Sequence, residues 1–222
     1  MLALKNIEVK IGKKTILDNV TFEADKGINV ILGPNGSGKT TILRSIIGVI
    51  KVVRGEIIIK GSLSYVPSEF FSPSMRVIDV ILSGNKRVDY DYYIKQLNIE
   101  DFLERDFSTL SSGEKKLVLI AKALAEGDNV LMDEPLANLD VKNRLRILKT
   151  LKKFDKTFLI TSHELDILNY SNKVILIRKG KIIYEGSVDK LETDLLSATY
   201  GVCVKRVGNG EGIYYKFEEE CI

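Results

Sequence analysis

Eight consecutive residues, Gly33-Pro34-Asn35-Gly36-Ser37-Gly38-Lys39-Thr40, fit the pattern G-x-x-x-x-G-K-[ST]. They follow a short apolar run, Ile28 to Leu32, and open a stretch with helical patterning, Thr40 to Ile50. Glycines let the backbone wrap closely, so that successive N–H groups face one anion. A helix starting near Gly38 adds its positive N-terminal end. Lys39 supplies a cation for the terminal phosphates and Thr40 a hydroxyl for Mg²⁺, with Thr41 beside it as a further nucleotide contact. This chemistry binds a nucleoside triphosphate. A second apolar run, Val130-Leu131-Met132, ends in Asp133-Glu134. Ligand sites of parallel sheets lie off the carboxyl ends of the strands. Asp133 is expected to hold Mg²⁺, and Glu134, one residue on, to polarise an attacking water.

These residues need a parallel sheet to bring them together. Ile28 to Leu32, Asn129 to Met132 and Thr157 to Thr161 read as buried strands. Met1 to Lys10 alternates like a strand, and Glu56 to Lys60 is β-branched. Val174 to Ile177 and Lys181 to Glu185 flank Arg178-Lys179-Gly180, a hairpin signal. Val202 to Val207 and Ile213 to Phe217 are strand-like. Between about 68 and 126 the pattern turns helical, with periodicity through Tyr92 to Leu103 and a long helix from Ser111 to Ala125 capped at Ser111-Ser112. The expectation is an α/β fold: one domain with a mainly parallel sheet, an N-terminal antiparallel β part, a core of 1–67 and 127–222, and a helical subdomain of 68–126.

Further motifs carry a family resemblance. Leu110-Ser111-Ser112-Gly113-Glu114 precedes Asp133-Glu134-Pro135 by about twenty residues, and Leu139-Asp140 and His163 follow. This order resembles the signature, acidic strand end, D-loop and switch histidine of ABC (ATP-binding cassette) ATPases, over residues 2 to 190. The resemblance implies ATP and Mg²⁺ as ligands and a P-loop core. It also implies a head-to-tail dimer in which Ser111, Ser112, Gly113 and Glu114 of one subunit close on the ATP held by the other. His163 is the single histidine of the chain, and the resemblance gives it a catalytic role beside Glu134.

Three positions depart from the family pattern. Ser68 stands where the family has a Gln, and is expected to act only through water. Glu114 replaces the signature Gln, and the chain has one Gln in all, Gln96. Ile11 stands where an aromatic stacks on adenine, so the base should be held weakly.

With 45% hydrophobic and 28% charged residues the chain reads as globular. A net charge of +3, from 33 basic and 30 acidic residues, gives no nucleic-acid surface. No apolar run reaches the ~18–20 residues that span a bilayer. A cytoplasmic subunit is therefore expected, and the resemblance implies an integral membrane permease that holds it at the inner face of the cell membrane. No long insertion separates the two halves, unlike repair ATPases, and there is one cassette, unlike translation factors. A cluster-assembly subunit and an exporter cassette stay open. Gly186-Ser187-Val188 and Ala198-Thr199-Tyr200-Gly201-Val202 resemble the C-terminal end of importer cassettes for siderophores, haem, cobalamin or transition metals, which adds an extracytoplasmic substrate-binding protein as partner. Cys203 and Cys221 read as two reduced thiols.

Overall fold

The structure is a computed structural model that describes residues 1–84, 88–208 and 213–219, the side chains of 213 and 214 excepted. Its centre is a six-stranded sheet in the order β5-β6-β7-β3-β8-β9. The strands are β3 (Gly27–Leu32), β5 (Leu63–Val66), β6 (Asn129–Asp133), β7 (Thr157–Ser162), β8 (Lys173–Arg178) and β9 (Lys181–Gly186). The first five run parallel, and β9 closes the edge as an antiparallel hairpin with β8.

Period-two alternation decides what each face buries. Ile31, Leu131, Leu159 and Ile175 point to one side. There they meet α1 (Lys39–Ile46) and an antiparallel sheet of β1 (Leu2–Ile11), β2 (Lys14–Ala24) and β4 (Arg54–Ile59), ordered β2-β1-β4. Val30, Val130, Met132, Phe158, Ile160 and Val174 point to the other side. They pack with α2 (Val77–Leu82), α3 (Asp91–Gln96), α4 (Ser112–Glu126) and α5 (Val141–Leu151). Because helices or a second sheet cover both faces, β6 and β7 are buried at every residue.

The expected strands appear in place, and the stretch 68–126 holds helices with no named strand among its described residues. Two expected helices are shorter. The first ends at Ile46, because Gly48 turns left-handed at φ 77° and the N–H groups of Val49 and Ile50 fold back to the Arg44 carbonyl. The Tyr92 to Leu103 periodicity breaks after Gln96, where Asn98 takes φ 44° before a single 3₁₀ turn at Glu100–Phe102. The tail forms α6 (Thr193–Tyr200), stopped by left-handed Gly201, and a hairpin of β10 (Cys203–Gly208) with β11 (Ile213–Glu218). The reading of two reduced thiols is corrected at Cys203, which is disulfide-bonded; Cys221 lies outside the described residues.

Candidate functional site

The glycine loop joins β3 to α1. Gly36 and Gly38 hold φ 75° and 112°, backbone that a side chain resists. A Cβ on Gly38 would also come within 2.8 Å of Leu17. Gly38 is the N-cap of α1 and supplies no side-chain cap, so the first-turn N–H groups face the loop. Two bonds fix the loop to the sheet ends: Gly33 N–H donates to the Ser162 carbonyl (3.3 Å) and Gly180 N–H to the Ser37 carbonyl (2.9 Å). Lys39 is only 5% exposed. Its Nζ donates to the carbonyls of Gly33 (2.8 Å) and Pro34 (3.1 Å) and lies 3.6 Å from Glu134 Oε1. Burial lowers the Lys39 pKa, and the Glu134 carboxylate opposes that shift.

Asp133, at the end of β6, is fully buried. Its Oδ1 accepts hydrogen bonds from Thr40 Oγ1 (3.1 Å) and Thr161 Oγ1 (2.7 Å), and its Oδ2 from Ser68 Oγ (3.4 Å). Ser68 therefore reaches Asp133 directly. The turn after β5 places it there, because β5 pairs in parallel with β6 and sets Val66 opposite Met132. A carboxylate and hydroxyls make a hard oxygen donor set, which suits Mg²⁺.

Glu134 leaves the strand in the left-handed region, φ 47°, a conformation that costs a non-glycine residue of order 1–3 kcal/mol and persists where surroundings enforce it. Its N–H donates to Thr161 Oγ1 (2.9 Å) and its carbonyl accepts from Lys116 Nζ (3.2 Å). The side chain is thereby turned toward His163, whose Nδ1 lies 2.8 Å from Oε2. A carboxylate oxygen accepts from an imidazole N–H, so the Nδ1–H tautomer is the one that fits this contact. Lys39, Glu134 and His163 thus form a row across the ends of β3, β6 and β7.

The signature segment lies elsewhere. Ser111 caps α4 in a reciprocal box: its Oγ accepts Glu114 N–H (3.2 Å) and Glu114 Oε2 accepts Ser111 N–H (2.8 Å). Arg105 pairs with Glu114 Oε1 at 3.0 Å. A neutral amide at this position could not form that ion pair. Ser112 begins the helix. A Cβ on Gly113 would touch Leu139 (3.2 Å). Asp140 caps α5, accepting from the N–H and side-chain amide of Asn143, both at 2.8 Å. Among the described residues no hydrogen bond or ion pair joins Ser111–Glu114 to the glycine loop. Ile11, 56% exposed at the end of β1, is near Gly12 in the β1–β2 hairpin and makes no polar contact with the loop.

Two residues of the site were missing from the sequence-derived set. Thr161 is the bridge between Asp133 and Glu134, set opposite Asp133 by the β6–β7 pairing, and its one sequence signal was a hydroxyl at the end of an apolar run. Lys116 sits on the buried stripe of α4 with Gly113, Leu117, Ile120 and Leu124, so a charge at that helical phase was the clue.

The ABC transporter family matches residues 17–137, more than half of the chain. This chain belongs to that family. As an ABC cassette it binds and hydrolyses ATP and works with a membrane permease; among the described residues no helix is long and apolar enough to cross a membrane. An uncharacterized ABC transporter ATP-binding protein of Methanocaldococcus jannaschii is 34% identical, over 91% of this chain and 92% of its own length. The zinc import ATP-binding protein ZnuC of Rickettsia bellii is 33% identical, over 84% of this chain and 86% of its own. Among solved structures, an inward-facing metal-chelate type ABC transporter superposes with TM-score 0.86 at 25% identity, covering 99% of this cassette and 97% of that chain.

Proposed function

We propose that the chain is a Mg²⁺-dependent ATPase subunit that closes head to tail on a second copy of itself, with ATP between the two, and drives a permease that takes up a metal ion or metal chelate. The observation that carries the chemistry is the Lys39–Glu134–His163 row beside the buried Asp133 and its partner Thr40. The loop from Gly33 to Thr41 receives the phosphates. Lys39 exchanges the Gly33 and Pro34 carbonyls for the β- and γ-phosphate oxygens, which offer a charge-assisted bond in their place. Thr40 and Asp133 would hold Mg²⁺, with Ser68 fixing the second carboxylate oxygen, and the bound ion would supply positive charge beside the phosphates.

Glu134 accepts a proton from a water as that water's oxygen bonds to the γ-phosphorus. The bond from the γ-phosphorus to the β–γ bridging oxygen breaks, and ADP leaves with that oxygen. His163 Nδ1–H keeps the carboxylate aimed. Ser111, Ser112, Gly113 and Glu114 stand apart from the loop of their own chain, which supports a role on the partner's nucleotide. There Ser111 Oγ and the first-turn N–H groups of α4 meet the γ-phosphate. The helical stretch 68–126 serves as the arm that carries this turn and faces the permease.

Uptake of a metal species rests on the named relatives. ZnuC is a zinc import protein, a further relative from Haemophilus influenzae is the molybdate import protein MolC at 30% identity, and the metal-chelate type neighbour spans nearly the whole chain, tail hairpin included. An extracytoplasmic binding protein would deliver the cargo. Steady-state hydrolysis tests the chemistry. Glu134→Gln should keep the KM for MgATP within about threefold while kcat falls by at least about a hundredfold, the usual weight of a general base. A Glu134→Gln protein turning over at the wild-type rate refutes the assignment.

A further inference from the structure

One buried cation has no part in holding nucleotide. Lys116 is 5% exposed on the inner face of α4. Its Nζ donates to two carbonyls of a single turn, Glu134 (3.2 Å) and Ala137 (2.6 Å). These are the first and last residues of the turn Glu134-Pro135-Leu136-Ala137, which Ala137 N–H closes onto the Glu134 carbonyl at 3.3 Å. The same ammonium therefore caps both ends of the segment that leaves β6. That segment runs on through Leu139, which packs under Gly113, to Asp140, the cap of α5.

A buried ammonium is costly unless its donors are used. Burial lowers the Lys116 pKa, with Glu134 opposing the shift and Arg144 adding to it. Arg144 itself is occupied: it donates to the Leu139 carbonyl at 3.1 Å and pairs with Glu164, which follows His163. The left-handed peptide of Glu134 is thus held from both sides, its N–H by Thr161 on β7 and its carbonyl by Lys116 on α4.

We propose that Lys116 is a positioning residue for ATP hydrolysis, which locks the Glu134 peptide to the helix whose first turn carries Ser111, so that engagement of Ser111 by the partner's nucleotide is transmitted to this chain's own carboxylate. The inference rests on the ATP-sandwich reading above. Ser111 and Lys116 are five residues apart on one helix start, and the hydrogen bonds from Nζ make that turn and the 134–137 turn one unit. A displacement of α4 on closure then moves or braces Glu134 through two bonds rather than through the flexible side chain.

The test compares wild type, Lys116→Met and Lys116→Arg in MgATP affinity, kcat, its Hill coefficient for ATP, and melting temperature. Methionine keeps the apolar stem and removes both donors; arginine keeps charge and donors. Lys116→Met should bind MgATP within threefold of wild type, lose at least tenfold in kcat, and show a Hill coefficient close to 1 where the wild type exceeds 1. Lys116→Arg should recover at least a third of the wild-type kcat and the higher Hill coefficient. The inference is overturned if Lys116→Met keeps kcat within twofold, if it loses ATP affinity and kcat in equal proportion, or if its Hill coefficient matches wild type. Should Lys116→Met not fold, Lys116→Arg decides alone, and a folded, ATP-binding Lys116→Arg with less than a third of wild-type kcat overturns the inference. A wild type that binds MgATP but shows no hydrolysis overturns the ATPase reading as well, which separates the two failures.

Discussion

Thr161→Val isolates the hydroxyl on which both acidic residues depend. Thr161 is fully buried, donates to Asp133 Oδ1 at 2.7 Å and accepts Glu134 N–H at 2.9 Å. Valine has nearly the same shape and neither polar function. Losing a hydrogen bond to a charged group costs about 1.5–3 kcal/mol, and leaving a buried N–H unsatisfied about 1–3 kcal/mol. Both bonds belong to one hydroxyl in one network, so the costs do not simply add. A net loss of about 3 kcal/mol follows, and for a domain of this size about 2–4 °C of Tm per kcal/mol gives a fall of about 6–12 °C. Glu134 loses the bond that holds the N–H of its left-handed peptide, so kcat should fall by about tenfold, or roughly 1.4 kcal/mol of barrier. Thr161→Ser keeps the hydroxyl and should stay within about 1 kcal/mol of wild type, the weight of one buried methyl. Thermal melts with steady-state hydrolysis decide the matter. A Thr161→Val protein that melts within 2 °C of wild type and turns over at its rate, or a Thr161→Ser protein as damaged as the valine variant, refutes the bridging role.

Three further outcomes are expected. Because Ile11 offers apolar contact without a stacking ring, GTP should bind within about tenfold of ATP, a gap of roughly 1.4 kcal/mol, and Ile11→Tyr should tighten MgATP; a several-hundredfold preference for ATP in equilibrium titrations shows that another residue reads the base. Ser68→Ala removes a partner of Asp133 Oδ2 and should raise the Mg²⁺ concentration for half-maximal hydrolysis by about tenfold, as loss of a residue supporting a metal ligand does; an unchanged Mg²⁺ requirement excludes the contact. The Glu114 carboxyl is held below its ordinary pKa chiefly by Ser111 N–H, with Arg105 contributing. A depressed folded-state value gives stability that is present above the unfolded carboxyl value and lost as pH falls toward the lower folded value. The urea midpoint of wild type should therefore exceed that of Glu114→Gln at pH 7, and the gap should close below about pH 4; an equal gap at both pH values contradicts it.

Much of the site was legible because its residues are local in sequence. The glycine loop occupies eight consecutive positions, and its strand and helix flanks lie where apolar patterning places them. Asp133 and Glu134 were legible as a polar end to an apolar run. What sequence could not supply was lateral register. Ser68 touches Asp133 because β5 is the neighbour of β6, and Thr161 does because β7 is its other neighbour. Strand order is a product of packing, and no local pattern encodes it. Helix ends fell short for a different reason: Gly48 and Asn98 carry positive φ inside stretches whose apolar spacing runs on. The role of Glu114 needed Arg105, nine residues away in sequence and brought near by the turn before α4.

The dimer is the centre of the account, and light scattering on size-exclusion peaks tests it most directly. Glu134→Gln removes the charge proposed to accept the proton and leaves the phosphate contacts, so the γ-phosphate should persist. That variant should run as a dimer in MgATP and as a monomer in MgADP, and adding Ser111→Arg, a bulky side chain at the cap of α4, should abolish the dimer in ATP. A dimer of equal abundance in ADP, or one that survives Ser111→Arg, contradicts the shared ATP site and leaves a cassette that hydrolyses ATP within one chain.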